Sequence, residues 1–117
     1  MGKRIAVVGV GAVGGYTGAH MVRAGEDVTF IDMWPAHVDE MKKNGLRITH
    51  HEGEEPFTVK VRALHLTEAQ HLAKEAPVDI GFICTKSYDT QWAALLVRQY
   101  LAPGGYRSEE RRVGKEC

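Results

Sequence analysis

The chain has 117 residues, of which 15 are Lys or Arg, 15 are Asp or Glu, and 44% are hydrophobic. These values are typical of one small globular domain, and the zero net charge gives no electrostatic reason to expect nucleic acid or an anionic membrane as a partner. No apolar run approaches the roughly 18 residues of a membrane span, the N-terminus lacks signal-peptide features, and Cys84 and Cys117 offer no metal spacing. We therefore expect a cytoplasmic protein with no metal, nucleic-acid or membrane partner.

Glycine and charge are unevenly distributed along the chain. Seven of the thirteen glycines lie in the first 25 residues, and seven of the last eleven residues are charged. This division suggests that residues 1–106 and 107–117 differ in origin, so we interpret them separately.

The first 45 residues show a β-α-β-α pattern. Residues 3–8 and 27–32 are short runs rich in Ile, Val and other strand-forming residues, which predict buried strands. Residues 12–24 and 35–44 have apolar residues at helical spacing, and each predicted helix ends at a glycine.

The following segments predict a hairpin-like pair at the sheet edge, a short polar helix, a buried strand and an amphipathic helix. In that order they are residues 46–49 with 57–63, 67–76, 78–84 and 88–101. Alternating strands and helices with short loops predict an α/β fold, a Rossmann-like doubly wound parallel sheet with the strand order 3-2-1-4-5.

The glycines of VVGVGAVGG follow the first predicted strand and open the first predicted helix. Gly9, Gly11 and Gly14 match the G-x-G-x-x-G pattern, in which the glycines allow a tight turn, close approach of a pyrophosphate, and close helix packing. The helix N-terminus adds free N–H groups and a positive dipole end. We therefore predict that the backbone of this loop binds a dinucleotide, and its residues are Gly9, Val10, Gly11, Ala12, Val13 and Gly14.

Asp32 lies eighteen residues beyond Gly14, at the end of the second predicted strand. A carboxylate there can accept both hydroxyls of an adenosine ribose and would repel a 2′-phosphate, which favours NAD over NADP. Alternatively, the glycines only form a tight turn and Asp32 only caps the next helix. Trp34 either lies against the adenine or packs at the strand end.

The segment Thr85-Lys86-Ser87-Tyr88 leaves the buried strand at 78–84. Ligands of open α/β sheets bind beyond such strand ends, so Lys86 is either a charged donor to the cofactor or substrate, or a solvated loop lysine. The six histidines (20, 37, 50, 51, 65 and 71) show no metal-ligand spacing, and we interpret them as surface or edge residues.

The segments IAVVGVGAVGGYTGAHMVRAGEDVTFID, WPAHVDEMKKNGLRI and DIGFICTKSYDT together resemble the N-terminal domain of the ketopantoate reductase (2-dehydropantoate 2-reductase) family. The resemblance implies an NAD(P)H-dependent reductase of a 2-oxo acid such as ketopantoate, on the route to pantothenate and coenzyme A. It also implies that Lys86 contacts the cofactor near the reacting centre. The resemblance is also compatible with a homodimer of the full-length parent protein.

The resemblance also implies what this chain does not contain. In the family, the proton-donating lysine and most substrate-binding residues lie in later strands and a helical C-terminal domain. We therefore expect no catalytic residue in this chain, and an inactive fragment. Well-studied members prefer NADPH and carry a basic residue where this chain has Asp32, a departure that favours NAD and weakens the case for ketopantoate itself.

Residues 107–117, RSEERRVGKEC, resemble the translation of a short-read sequencing adapter. We therefore expect a truncated dinucleotide-binding domain at 1–106 and a non-native tail at 107–117. No fifth strand would then follow, so the strand at 78–84 would lie at the sheet edge, and the chain would be marginally stable and prone to aggregation.

Two other functions are compatible with the sequence. One is a nucleotide-sensing Rossmann module of a potassium-transport regulator, which needs no lysine aimed at a reacting carbonyl. The other is a hydroxyacid dehydrogenase with a different substrate, because fold alone does not determine the substrate.

Overall fold

The computed structural model describes residues 3–49, 55–85 and 90–109, and a parallel five-stranded sheet forms its centre. Its strands, in the spatial order β5-β2-β1-β6-β7, are β1 (Arg4–Val8), β2 (Asp27–Asp32), β5 (Arg62–His65), β6 (Val78–Ile83) and β7 (Leu101–Glu109). This is the 3-2-1-4-5 order of a Rossmann-like doubly wound sheet, so the predicted fold class is confirmed.

The strands β1 and β2 lie inside the sheet and consist mainly of residues that favour buried strands. Val7, Val8, Phe30 and Ile31 are at most 1% exposed. Strands covered on both faces read as continuous apolar runs, which is why both were predictable from the sequence to within one residue.

Two helices follow these strands, α1 (Ala12–Arg23) and α2 (Pro35–Asn44). The approach of α1 to the sheet depends on Gly18, because a Cβ at this position would overlap the Phe30 ring. Pro35 is the first residue of α2, where its fixed φ suits a helix and its missing N–H costs nothing.

The helices cover both faces of the sheet. α1 and α2 pack on the face that contains Val7 and Phe30, whereas α3 (Thr90–Arg98) packs on the face that contains Val8 and Ile31. Residues 88 and 89 of the predicted third helix lie outside the described residues. In the part of the chain that the structure describes, no helix is both long and apolar enough to cross a membrane.

The predicted hairpin is confirmed as a pair of strands, but the pair does not lie at the edge of the main sheet. β3 (Leu46–Ile48) and β4 (Phe57–Val59) are antiparallel, and they form a separate two-stranded sheet. The strand predicted over 57–63 is divided, because β5 begins at Arg62 and pairs parallel with β2. One alternating pattern of apolar residues cannot show that its two halves belong to different sheets.

The polar helix expected at 67–76 is a 3₁₀ helix over Leu66–Lys74. Its cap is His65, whose Nδ1 accepts the Thr67 N–H at 3.3 Å while the Glu68 carboxylate accepts the His65 N–H at 2.8 Å. This backbone hydrogen bond, and then the ammonium of Lys42, lower the pKa of Glu68.

An ion cluster joins the N-terminal ends of β1, β2 and β5, on the side of the sheet opposite the C-terminal ends of these strands. Arg4 pairs with Asp27 at 3.2 Å and with Glu75 at 2.8 Å, and Arg62 also pairs with Glu75. The two guanidinium groups, Arg62 first, lower the pKa of Glu75 to about 2.

The expectation that no fifth strand follows β6 is wrong. β7 pairs parallel with β6, with Ile80 opposite Tyr106 and Ile83 opposite Glu109, so β6 is an internal strand. Strand pairing uses backbone N–H and C=O groups, which almost every residue carries, so the charged sequence from Arg107 onward does not prevent it. The non-native origin of residues 107–117 stays a prediction.

Candidate functional site

The glycine-rich loop lies at the C-terminal end of β1, between the ends of β2 and β6. The connections from β1 and from β6 run on opposite faces of the sheet, through α1 and α3 respectively. In open α/β sheets this switch point forms a crevice beyond the strand ends, where ligands bind. The position predicted from the sequence is therefore the position at which the fold opens a site.

Gly9 forms the turn between β1 and the loop. Its φ is +95°, and a Cβ there would lie 2.9 Å from the Cys84 carbonyl and from the Thr85 nitrogen. Both facts require glycine, since L side chains rarely adopt this φ and backbone cannot easily move aside. Gly9 thus brings the loop directly against the end of β6.

Gly11 and Gly14 differ in what surrounds them. A Cβ on Gly14 would overlap the Gly9 carbonyl oxygen, so Gly14 allows α1 to start close to β1. A Cβ on Gly11 would meet nothing within 4 Å. Gly11 therefore faces open space, where a ligand can approach the backbone.

The N-terminus of α1 can bind an anion. Gly11 is its N-cap, and among the described residues no side chain caps it and its first turn contains no acid. The hydrogen bond from Gly15 N–H to Gly11 C=O, 2.8 Å long, begins the helical ladder, so the amides before Gly15 have no partner within the helix. These N–H groups and the helix dipole favour a phosphate group.

Asp32 is half-buried at the end of β2, beside the loop. Its Oδ1 accepts the Val10 N–H at 2.9 Å, and its Oδ2 accepts the Trp34 N–H at 3.2 Å. A carboxylate has about four acceptor positions, so each oxygen can still accept a hydroxyl proton. The interpretation of Asp32 as the cap of the next helix is wrong, because Trp34 is the N-cap of α2 and that helix has no side-chain cap hydrogen bond. Asp32 instead holds the backbone on both sides of it and has acceptor positions left for a ligand.

Two large apolar side chains follow Asp32 and are exposed. Met33 is 44% exposed and Trp34 is 68% exposed. The interpretation of Trp34 as a packing residue is therefore wrong, because most of its surface faces solvent. An exposed indole close to Asp32 offers a flat apolar surface for a base.

Three of the histidines that the structure describes make specific contacts, so the interpretation of all six as surface or edge residues is too simple. The His20 ring packs against Tyr16 and Phe57, with ring centroids 4.5 Å and 5.0 Å apart. His65 caps the 3₁₀ helix, and His37 Nε2 lies 2.9 Å from the Val10 carbonyl oxygen. His50 and His51 lie outside the described residues.

Thr85 is the last described residue before the segment that contains Lys86. It is 8% exposed, and within the described ranges its Oγ1 has no hydrogen-bond partner. Lys86 itself lies outside the described residues, so its predicted role stays a prediction.

An apolar cavity of about 180 Å³ lies beside Gly14, between α1 and the strands β1 and β6. Val7, Met21 and Phe82 are among its lining residues. Such a lining offers little to a polar nucleotide, so the phosphate-binding capacity of the site lies at the α1 N-terminus. Among the described residues, no group of three His, Cys, Asp or Glu side chains is placed to hold a metal ion.

Comparison with known proteins gives consistent matches. The family described as "Ketopantoate reductase PanE/ApbA" matches residues 5–105. A 2-dehydropantoate 2-reductase from Pyrococcus abyssi is 32% identical over 113 residues, which cover 97% of this chain and 34% of the relative.

Solved structures share the fold. The PanE/ApbA family ketopantoate reductase from Ralstonia eutropha JMP134 is 34% identical, with a TM-score of 0.73 over 89% of this chain and 32% of that chain. D-mandelate dehydrogenase with NADH and anilino(oxo)acetate has a TM-score of 0.76 at 23% identity, over 91% of this chain and 32% of that chain. This chain thus spans about a third of the length of these proteins.

Proposed function

The chain belongs to the ketopantoate reductase PanE/ApbA family, and we propose that it forms the cofactor-binding part of an NAD(P)H-dependent oxidoreductase that reduces a 2-oxo acid. Ketopantoate, reduced to pantoate for pantothenate and coenzyme A synthesis, is the favoured substrate. The observation that carries this proposal is the open space in front of Gly11, at a helix N-terminus whose first amides have no helical partner.

The pyrophosphate would be held by the backbone of residues 9–14. Gly11 has no side chain to obstruct its approach, and the first-turn amides of α1 donate toward the crevice. This region needs no lysine or arginine, because the helix N-terminus supplies both the donors and the partial positive charge.

Asp32 would accept the hydroxyls of the adenosine ribose. Its carboxylate lies at the end of β2 and is fixed by two backbone N–H groups, so its direction is set before any ligand arrives. The same negative charge would repel a 2′-phosphate, which supports NAD as the preferred cofactor. The exposed face of Trp34 is the surface on which we place the adenine.

When bound, NADH would supply a hydride for the carbonyl carbon of the 2-oxo acid, and a proton added to the carbonyl oxygen would complete the alcohol. The residues of this chain bind the cofactor and orient it. The α1 N-terminus anchors the phosphates, Asp32 fixes the ribose, and Lys86 is proposed to contact the cofactor near the reacting carbon.

Two alternative functions differ in how far the observations support them. The potassium-transport sensing module is not favoured, because the family match and the Pyrococcus abyssi relative are both reductases by description. A hydroxyacid dehydrogenase with another substrate keeps the same cofactor site, and the feature that favours it is Asp32, which departs from the pattern of the NADPH-preferring members of the family. A homodimer of the parent protein also stays a prediction.

Titration of NADH and NADPH into the purified chain, followed by calorimetry, tests the proposal. We expect saturable binding of both cofactors, with NADH the tighter, and no binding of either after substitution of Gly11 by valine, which fills the open space. Absence of binding by the unaltered chain would contradict the proposed function. Ketopantoate-dependent oxidation of NADH by this chain would contradict only the expectation that it is inactive alone.

A further inference from the structure

Val10 is held on both sides, by the last residue of β2 and by a residue of α2. Its N–H donates to Asp32 Oδ1 at 2.9 Å, and its carbonyl oxygen accepts a hydrogen bond from His37 Nε2, also at 2.9 Å. The preceding amide, Gly9 N–H, donates to the Ile31 carbonyl at 2.9 Å. The glycine-rich loop is therefore tied to β2 and α2 at three consecutive points.

The loop needs these ties because glycines flank Val10. Gly9 and Gly11 have a wider range of backbone conformations than other residues, so the loop has little intrinsic preference for one shape. The Val10 carbonyl precedes the helical ladder, which begins at Gly11 C=O. Among the described residues, His37 is the partner that the structure gives this carbonyl.

The geometry of the peptide unit connects His37 to the ligand site. The Val10 C=O and the Gly11 N–H belong to one planar trans peptide, so they point in opposite directions and rotate together. A hydrogen bond that fixes the Val10 oxygen toward α2 therefore fixes the Gly11 hydrogen in the opposite direction, on the other side of the C–N bond. Gly11 is the residue that faces open space.

The chemistry of His37 permits only one direction for this bond. A carbonyl oxygen accepts and never donates, so Nε2 must carry the hydrogen. His37 is the third residue of α2, two positions after Pro35, whose fixed φ sets the start of that helix. Its ring is half-buried and so has fewer alternative positions than an exposed side chain.

We propose that His37 is a positioning residue for dinucleotide binding, which acts through the Val10–Gly11 peptide to aim the Gly11 N–H at the pyrophosphate. The inference rests on the proposed function, because it assumes that the loop binds the cofactor phosphates. The affinity for the cofactor depends on the His37 hydrogen bond because a loop already held in the bound shape loses less conformational freedom on binding.

The test compares His37→Ala with His37→Gln. Alanine removes the donor at a helical position where it is well tolerated, and glutamine retains an N–H donor on a side chain of similar reach. Because His37→Ala removes one neutral hydrogen bond, we expect it to raise the Kd for NADH by up to about tenfold. His37→Gln should recover most of this loss. His71→Ala, at an exposed histidine of the 3₁₀ helix, is the matched control and should not change the Kd.

A second measurement is independent of cofactor binding. In the cofactor-free chain labelled with ¹⁵N, His37→Ala should shift the Gly11 amide resonance while His37→Gln leaves it close to its original position. An unchanged Gly11 resonance in His37→Ala, or an equal loss of NADH affinity in both variants, would overturn the inference. If the unaltered chain binds no dinucleotide, the proposed function fails, and the Gly11 resonance still decides whether His37 orients the peptide.

Discussion

Substitution of Asp32 by asparagine is the sharpest test of cofactor preference, because the two side chains have nearly the same shape and differ in charge. Asparagine retains Oδ1 as the acceptor for the Val10 N–H. Its amide nitrogen cannot accept the Trp34 N–H, which Asp32 Oδ2 accepts at 3.2 Å. Because the acceptor of this hydrogen bond is charged, the variant should lose about 1.5–3 kcal/mol of stability, which a typical total of about 5–15 kcal/mol tolerates.

The two cofactors should respond in opposite directions. A hydrogen bond to a charged group is worth about 1.5–3 kcal/mol, so NADH should bind roughly 10- to 150-fold more weakly to the variant. For NADPH, two unit charges about 4 Å apart repel by about 1 kcal/mol in water and about 4 kcal/mol near a protein surface. Because Asp32 is half-buried, loss of its charge should strengthen NADPH binding by at least about fivefold.

Calorimetric titration of both cofactors at one fixed salt concentration measures the ratio of their Kd values. Asp39→Asn, at an exposed carboxylate on α2, makes the same change in net charge away from the loop and serves as the control. We expect Asp32→Asn to move the ratio by about 100-fold toward NADPH and Asp39→Asn to leave it unchanged. Tighter binding of NADPH by the unaltered chain, or an equal response of both variants, would refute the reasoning.

The other predictions concern the loop and the ion cluster. Gly14→Ala places a methyl group against the Gly9 carbonyl and should cost about 1–3 kcal/mol of stability in urea unfolding. Gly11→Ala should unfold like the unaltered chain but bind NADH more weakly. Equal stability losses in the two variants would contradict this prediction. Glu75 has a pKa of about 2, below the ordinary value of 4.5, so its stabilising contribution is present above pH 4.5 and is lost as the pH falls toward 2. Glu75→Gln should reduce this acid dependence in urea unfolding measured at successive pH values, and an unchanged dependence would show that its pairs with Arg62 and Arg4 do not contribute.

The sequence predicted the first half of the fold well because the signals there are local. A run of Val and Ile marks β1, and Pro35 and Gly45 mark the two ends of α2. The glycine pattern also predicted the loop conformation, since Gly9 has a positive φ and Gly14 lies against the Gly9 carbonyl. Each of these features depends on neighbouring residues and needs no knowledge of the tertiary structure.

The features that the sequence did not reveal depend on distant partners. β5 is a separate strand because Arg62–His65 pairs with β2, more than thirty residues earlier in the chain. β7 pairs with β6 through its backbone, so its charged residues gave no signal. His37 was overlooked because its partner, the Val10 carbonyl, is a backbone group 27 positions away.

Asp32 shows why a structural role and a ligand-binding role do not exclude each other. The carboxylate holds the Val10 and Trp34 amides, as a structural residue would, and each oxygen still has a position from which it can accept a ribose hydroxyl. Removal of the whole carboxylate by Asp32→Ala would therefore weaken the loop as well as the ribose contact. The loop is common to both cofactors, so its disturbance would weaken NADH and NADPH alike. Only the ratio of the two affinities, measured with the isosteric asparagine, isolates the role of Asp32 at the ribose.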